Sequence, residues 1–210
     1  MALDARMDLR FNIRNITSIR FKMSKKKIAI ALVIDGELRE NIELAFSCLK
    51  NKGIHWLSKH TVAPHITLCS GTIKSSKDLS EVVSKIAASN SNFTEISRGL
   101  GVFITQTPVV HIRWPANGPL KLLRDKCYED TKNIWEQIDF FSETNFWVPK
   151  TTIALKDTSN ENLSAVLTAI DDINFTVSPG LIFNTRGINT IRFFLFFGSL
   201  LYIFTSYVAA

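Results

Sequence analysis

The chain has 210 residues, 46 % hydrophobic and 21 % charged, which is enough for a sizeable core and excludes a wholly disordered protein. Three cysteines (Cys48, Cys69, Cys127) are too few and too scattered for a disulfide framework or a cysteine-based zinc site, so a reduced, cytoplasmic protein is expected. Lys and Arg exceed Asp and Glu by 25 to 19, and the resulting charge of +6 suits an anionic partner without demanding one.

In chain order, Lys27 to Ile34 is a continuous apolar run closed by Asp35-Gly36, the pattern of a buried strand. Leu38, Ile42, Ala45, Phe46 and Leu49 then recur at helical spacing over Glu37 to Lys50. His65 to Leu68 reads as a short strand after Pro64, and Asp78 to Ser89 as a second helix. Gly101 to Ile104 and Val109 to Ile112 are expected to pair as strands across the turn Thr105 to Pro108. Leu120 to Ile138 is predicted as one helix, with Leu122, Leu123, Cys127, Ile134 and Ile138 as its apolar residues. Thr151 to Leu155 follows as a strand and Asn160 to Ile170 as a helix. Phe175 to Val177, Leu181 to Phe183 and Ile191 to Phe197 supply the closing strands. The pattern is α+β.

The ends differ from the middle. Five of the fifteen phenylalanines fall within the uncharged stretch Phe193 to Ala210. Its first five residues are claimed by the last strand, and residues 198–210 are then too short to span a bilayer, which needs about 20 apolar residues. A weak membrane contact through this tail is the competing expectation. Residues 1–25 carry Arg6, Arg10 and Arg14 but no long apolar segment, so they read as a flexible extension rather than a secretory signal. The body is expected over residues 26–197, as a monomer.

No GxGxxG, HExxH or P-loop occurs, but the chain partly repeats itself. Residues 62–68, Val-Ala-Pro-His-Ile-Thr-Leu, align with residues 147–153, Trp-Val-Pro-Lys-Thr-Thr-Ile, 85 residues later. Pro64 matches Pro149, Thr67 matches Thr152, and His65 falls opposite Lys150. In a strand, His65 and Thr67 share one face, as do Lys150 and Thr152. An imidazole that moves a proton near neutral pH, beside hydroxyls that donate to phosphate oxygens, suits phosphodiester chemistry.

Pro-His-Ile-Thr-Leu resembles the first signature of the 2H phosphoesterase superfamily, and Trp-Val-Pro-x-x-Thr-Ile-Ala resembles the second. Gly101-Val-Phe with Thr107-Pro-Val-Val-His-Ile is similar to the segment between them in proteins like bacterial 2′-5′ RNA ligases. The resemblance covers roughly residues 26–197. It implies a bilobal fold in which two pseudo-symmetric antiparallel sheet-plus-helix lobes flank a central cleft. It also implies activity on 2′,3′-cyclic phosphates or 2′-5′-linked nucleotide or RNA ends, without metal or cofactor. Carried over, His65 is one acid/base and Thr67 and Thr152 hold the phosphate. The second histidine is Lys150 here. A lysine of ordinary pKa near 10.4 is a poor proton shuttle at neutral pH but a good phosphate-binding cation, so binding with impaired turnover is expected.

The remaining candidates have plainer readings. His55, His60 and His65 lack a zinc spacing. His111 reads as structural, with Arg113 and Trp114 suited to a nucleotide-facing rim. Cys69 shares strand parity with His65 and Thr67, yet packing is its simpler role. Trp147 is expected in the core or at a contact between the halves.

Overall fold

A computed structural model describes residues 27–61, 63–73, 79–89, 93–176, 181–183, 191–197 and 200–204. The expectations for residues 1–26, for the helix start at Asp78, for Val177 and for residues 198–199 and 205–210 lie outside the described residues, while Phe175 and Thr176, expected as a strand, belong to none, and the Phe175 carbonyl instead accepts the Ser97 hydroxyl.

The element order is β1 (Lys27–Val33), α1 (Gly36–Lys50), α2 (Trp56–His60), β2 (His65–Ile73), α3 (Leu79–Ser89), β3 (Phe93–Glu95), β4 (Leu100–Phe103) and β5 (Val109–Arg113). There follow α4 (Gly118–Thr131), β6 (Trp135–Ile138), β7 (Lys150–Ala154), α5 (Leu163–Thr168), β8 (Leu181–Phe183), β9 (Ile191–Phe197) and β10 (Leu200–Phe204). The strands form a five-stranded sheet, β10-β9-β1-β2-β6, a three-stranded sheet, β4-β5-β7, and the pair β3-β8. Each of these pairings is antiparallel. The fold is therefore a mixture of helices and antiparallel sheets.

β1 is central because both of its faces are apolar. Ile28, Ile30 and Leu32 on one face enter a single large core that also takes in Leu38 and Ile42 of α1, Val83 and Ile86 of α3, and Leu123 and Cys127 of α4. That core continues through Ile112 of β5 and Ile153 of β7, so it joins the two larger sheets. The other face of β1 carries Lys27 at its exposed start and then Ala29, Ala31 and Val33, which cluster with Ala63. In the antiparallel register Ala31 lies opposite Thr67 and Val33 opposite His65, and directly opposed residues share a face. The small side chains of β1 thus leave open space beside the polar residues of β2.

The two repeated segments fold alike. β2 begins at His65 and β7 at Lys150. On β2 the register against β1 jumps from Thr67 to Cys69, leaving Leu68 as the extra residue of a bulge. On β7 the register against β5 jumps from Thr152 to Ala154, leaving Ile153 as the extra residue. Leu68 and Ile153 are equivalent in the repeat. The bulge also reverses parity, so Cys69 turns into the core while Ser70 takes the open face. Strand parity alone had pointed Cys69 toward the cleft.

The long helix expected over Leu120 to Ile138 is divided. α4 stops at Thr131, whose hydroxyl bonds back to the Cys127 carbonyl at 2.6 Å and accepts the Trp135 indole N–H at 3.0 Å. Past that turn, Trp135 to Ile138 takes the free edge of β2 as β6. Backbone bonds offered by a sheet edge here override a helical pattern. Leu122, counted with the apolar face, is 71 % exposed. Leu200 to Phe204, left unassigned as tail, pairs with β9, so the central sheet extends beyond residue 197. Among the described residues no helix is long and apolar enough to cross a membrane.

Arg124 on α4 is 1 % exposed and fixes the segment that leads into β7. Its guanidinium donates to the Ser142 carbonyl and to Thr144 Oγ1 at 3.2 Å. It lies 4.8 Å from the Tyr128 ring centroid and 5.5 Å from that of Trp147. Arg124→Ala is expected to cost about 3 kcal/mol, because it strands a buried carbonyl and removes packing from two rings. Urea unfolding monitored by tryptophan fluorescence checks this.

Candidate functional site

β2 and β7 lie in contact, and Trp147 locks them by donating its indole N–H to the Thr67 carbonyl at 2.9 Å. Trp147 thus ties the second repeated segment to the first. The result is a cavity of about 180 Å³ whose wall includes His65, Thr67, Lys150 and Thr152. The four residues singled out from the internal repeat are brought to one place.

A third wall was not legible. α2 contributes Trp56, Leu57 and His60, with the Trp56 and His60 rings stacked at 4.5 Å. α2 is held by Asp157, just past β7, whose carboxylate Oδ2 accepts the backbone N–H groups of His55 and Trp56, both at 2.6 Å. Five residues are too few for a helical period to show in sequence. The residue that holds them is about a hundred positions further along the chain.

His65 is oriented by its own strand entry. Its Nδ1 lies 2.8 Å from the Ala63 carbonyl, so that nitrogen carries the proton and Nε2 bears the basic lone pair. Burial pushes the His65 pKa below its ordinary value. The Ala63 bond opposes that shift, and the nearby charge of Lys150 adds to it. Lys150 is itself lowered by burial, and its Nζ sits 5.7 Å over the Phe103 ring. His65 is therefore neutral at neutral pH and able to accept a proton. Lys150 supplies positive charge beside it.

His111 belongs to the same sheet face. It lies opposite Thr152 in the β5–β7 register, is buried, and stacks on Phe103 at 4.3 Å. Burial, followed by the charges of Lys150 and Arg113, lowers its pKa against the effect of the Val109 carbonyl. Trp114 is buried and donates its indole N–H to Thr151 Oγ1 at 3.0 Å, so it serves packing, whereas Arg113 is exposed at the rim. Both nonetheless border a further cavity of about 460 Å³ on this sheet, beside Phe103 and His111. Among the described residues no cluster of three or more His, Cys, Asp or Glu side chains is placed to hold a metal ion.

These shifts set a pH dependence for stability. The unfolded chain binds protons at both histidines near pH 6.5, and the folded protein only at lower pH. Their contribution is complete above about pH 6.5 and is lost as the pH falls through the window down to the folded values. Melting temperatures between pH 7.5 and pH 5 are expected to fall, and the decline is expected to be shallower in the double variant His65→Gln, His111→Gln.

No protein family model matches the chain, and no curated protein does. Among solved structures, Usb1 of Kluyveromyces marxianus is similar at 9 % identity with a TM-score of 0.37, covering 86 % of this chain and 97 % of that one. The same protein with uridine monophosphate aligns at 8 % identity and a TM-score of 0.38, covering 87 % and 99 %. A likeness at that level is too low to fix a shared fold or a shared activity.

Proposed function

We propose that the chain is a 2H phosphoesterase-like protein, two sheet-plus-helix lobes around a cleft, that binds phosphorylated nucleotide or RNA ends with impaired turnover. The preferred ligands are 2′,3′-cyclic phosphates or 2′-5′-linked ends. The observation that carries this reading is the convergence of His65, Thr67, Lys150 and Thr152 on one cavity from two strands that share a motif and a bulge position. In this reading Thr67 and Thr152 donate hydroxyl hydrogens to non-bridging phosphate oxygens, and Lys150 neutralises their charge. His65 Nε2 is the base that can take a proton from water or a ribose hydroxyl. No second imidazole stands at position 150 to protonate the leaving oxygen, which is why turnover is impaired.

Calorimetric titration with uridine 3′-monophosphate and uridine 2′,3′-cyclic phosphate tests the binding claim. Thr67→Val and Thr152→Val are each expected to weaken binding about tenfold, the scale of one hydrogen bond to a charged group. Saturable binding is expected to weaken as salt rises. Binding that is indifferent to both substitutions would remove these hydroxyls from the site.

A further inference from the structure

Beside the cavity lined by His65 lies a third one, of about 360 Å³, and these two share Thr67 and Lys150. Its volume is in the range of small-molecule sites. Phe140 and Phe141 form part of its wall, and they are 57 % and 70 % exposed. Large aromatic side chains in contact with water are costly unless something covers them in use. These are also pre-set. Phe140 stacks on the half-exposed Phe146 at 4.1 Å and meets Phe141 edge-on at 5.3 Å. The turn that carries them is anchored from beneath, where the buried Arg124 holds the Ser142 carbonyl.

The rest of this cavity is polar. Ser70 Oγ donates to Asp139 Oδ2 at 2.7 Å, and Lys27 Nζ pairs with Asp139 Oδ1 at 3.0 Å. The one carboxylate is thus neutralised, and the cavity keeps Lys150 as a cation facing it. Rigid ring faces, hydrogen-bonding groups and positive charge, set beside the phosphate site, match the needs of the next base and linkage of a nucleic-acid strand. A lipid surface or a second apolar face would use the rings but not the polar floor next to them.

We propose that Phe140 and Phe141 form a stacking platform for the base of a nucleotide upstream of the terminal one, in single-stranded RNA whose 3′-terminal phosphate sits at Thr67 and Lys150. The protein then takes a chain end rather than a lone nucleotide. This rests on the phosphate-binding reading above, and the test separates the two.

Calorimetry compares uridine 3′-monophosphate with an unlabelled uridine tetranucleotide ending in a 3′-phosphate. The wild-type chain is expected to bind the tetranucleotide about tenfold more tightly than the mononucleotide, in line with one stacked base. The double variant Phe140→Ala, Phe141→Ala is expected to lose that gain and keep its mononucleotide affinity, with near-ultraviolet circular dichroism confirming the fold. Mononucleotide binding without a gain for the tetranucleotide, or a gain that survives the double variant, overturns the platform alone. Failure of both ligands overturns the phosphate-binding reading, and the platform falls with it. Self-association or binding to phosphatidylcholine vesicles that is lost in the double variant, with the tetranucleotide's gain intact, gives the rings to another partner and also overturns the proposal.

Discussion

Lys150→His is expected to raise turnover of uridine 2′,3′-cyclic phosphate by about 10²–10⁴-fold, the usual contribution of a positioned proton-transfer group. The position is right for it: Lys150 opens β7 as His65 opens β2, and both line one cavity. The proposed impairment lies in the titration: burial lowers the Lys150 pKa, a phosphate bound beside it would oppose that shift, and an ammonium held charged in this way would not give up its proton. An imidazole there can instead give its proton to the leaving oxygen while His65 accepts one from water. The rate of the variant is therefore expected to show two limbs against pH, and His65→Ala in the same background is expected to erase the gain. The acid limb belongs to His65 and lies below the ordinary imidazole value because of burial. Chromatographic separation of cyclic and open nucleotides measures all of this. A wild-type chain that already turns over rapidly, unchanged by Lys150→His, would show that the lysine is no impairment.

A large effect on stability is also expected at Gly71. It lies on β2 opposite Ile138 of β6, where the strands approach so closely that a Cβ would fall against the Gln137 carbonyl oxygen and within 2.9 Å of the Ile138 Cα. Both obstacles are backbone, so they yield only if β6 moves off the sheet. Gly71→Ala is expected to cost about 3 kcal/mol and to lower the melting temperature by about 10 °C. Gly101→Ala is the control. Its Cβ would meet side chains of Arg113 and His111 at 2.8 Å, and the arginine can swing away. A smaller loss is expected there. Equal melting temperatures for the two variants, read by differential scanning calorimetry, would contradict the register assigned to β6.

The parts of the site that sequence revealed are those encoded locally. Each of His65, Thr67, Lys150 and Thr152 sits in a seven-residue segment with its proline and strand, so the repeat could be read without knowing what packs on what. The strands β1, β5 and β7 and the helix α1 were also legible locally, the strands as short apolar runs buried on both sides and α1 by the spacing of its one buried face. What stayed hidden depends on distant partners. β6 is a strand only because β2 offers it an edge, and α2 is held by Asp157, about a hundred residues further along the chain. The bulges at Leu68 and Ile153 are visible only in the pairing register, although the first of them decides that Ser70 rather than Cys69 faces outward. The phenylalanines of the turn after β6 drew no attention in a chain with fifteen of them. Exposure, not composition, sets Phe140 and Phe141 apart.

The central claim is that two strands of one repeat build a phosphate site, and a crystal of the full chain soaked with uridine 3′-monophosphate tests it most directly. The expected density places the phosphate within hydrogen-bond reach of Thr67 Oγ1, Thr152 Oγ1 and Lys150 Nζ. A phosphate seated away from all three, with that cavity empty, would contradict it.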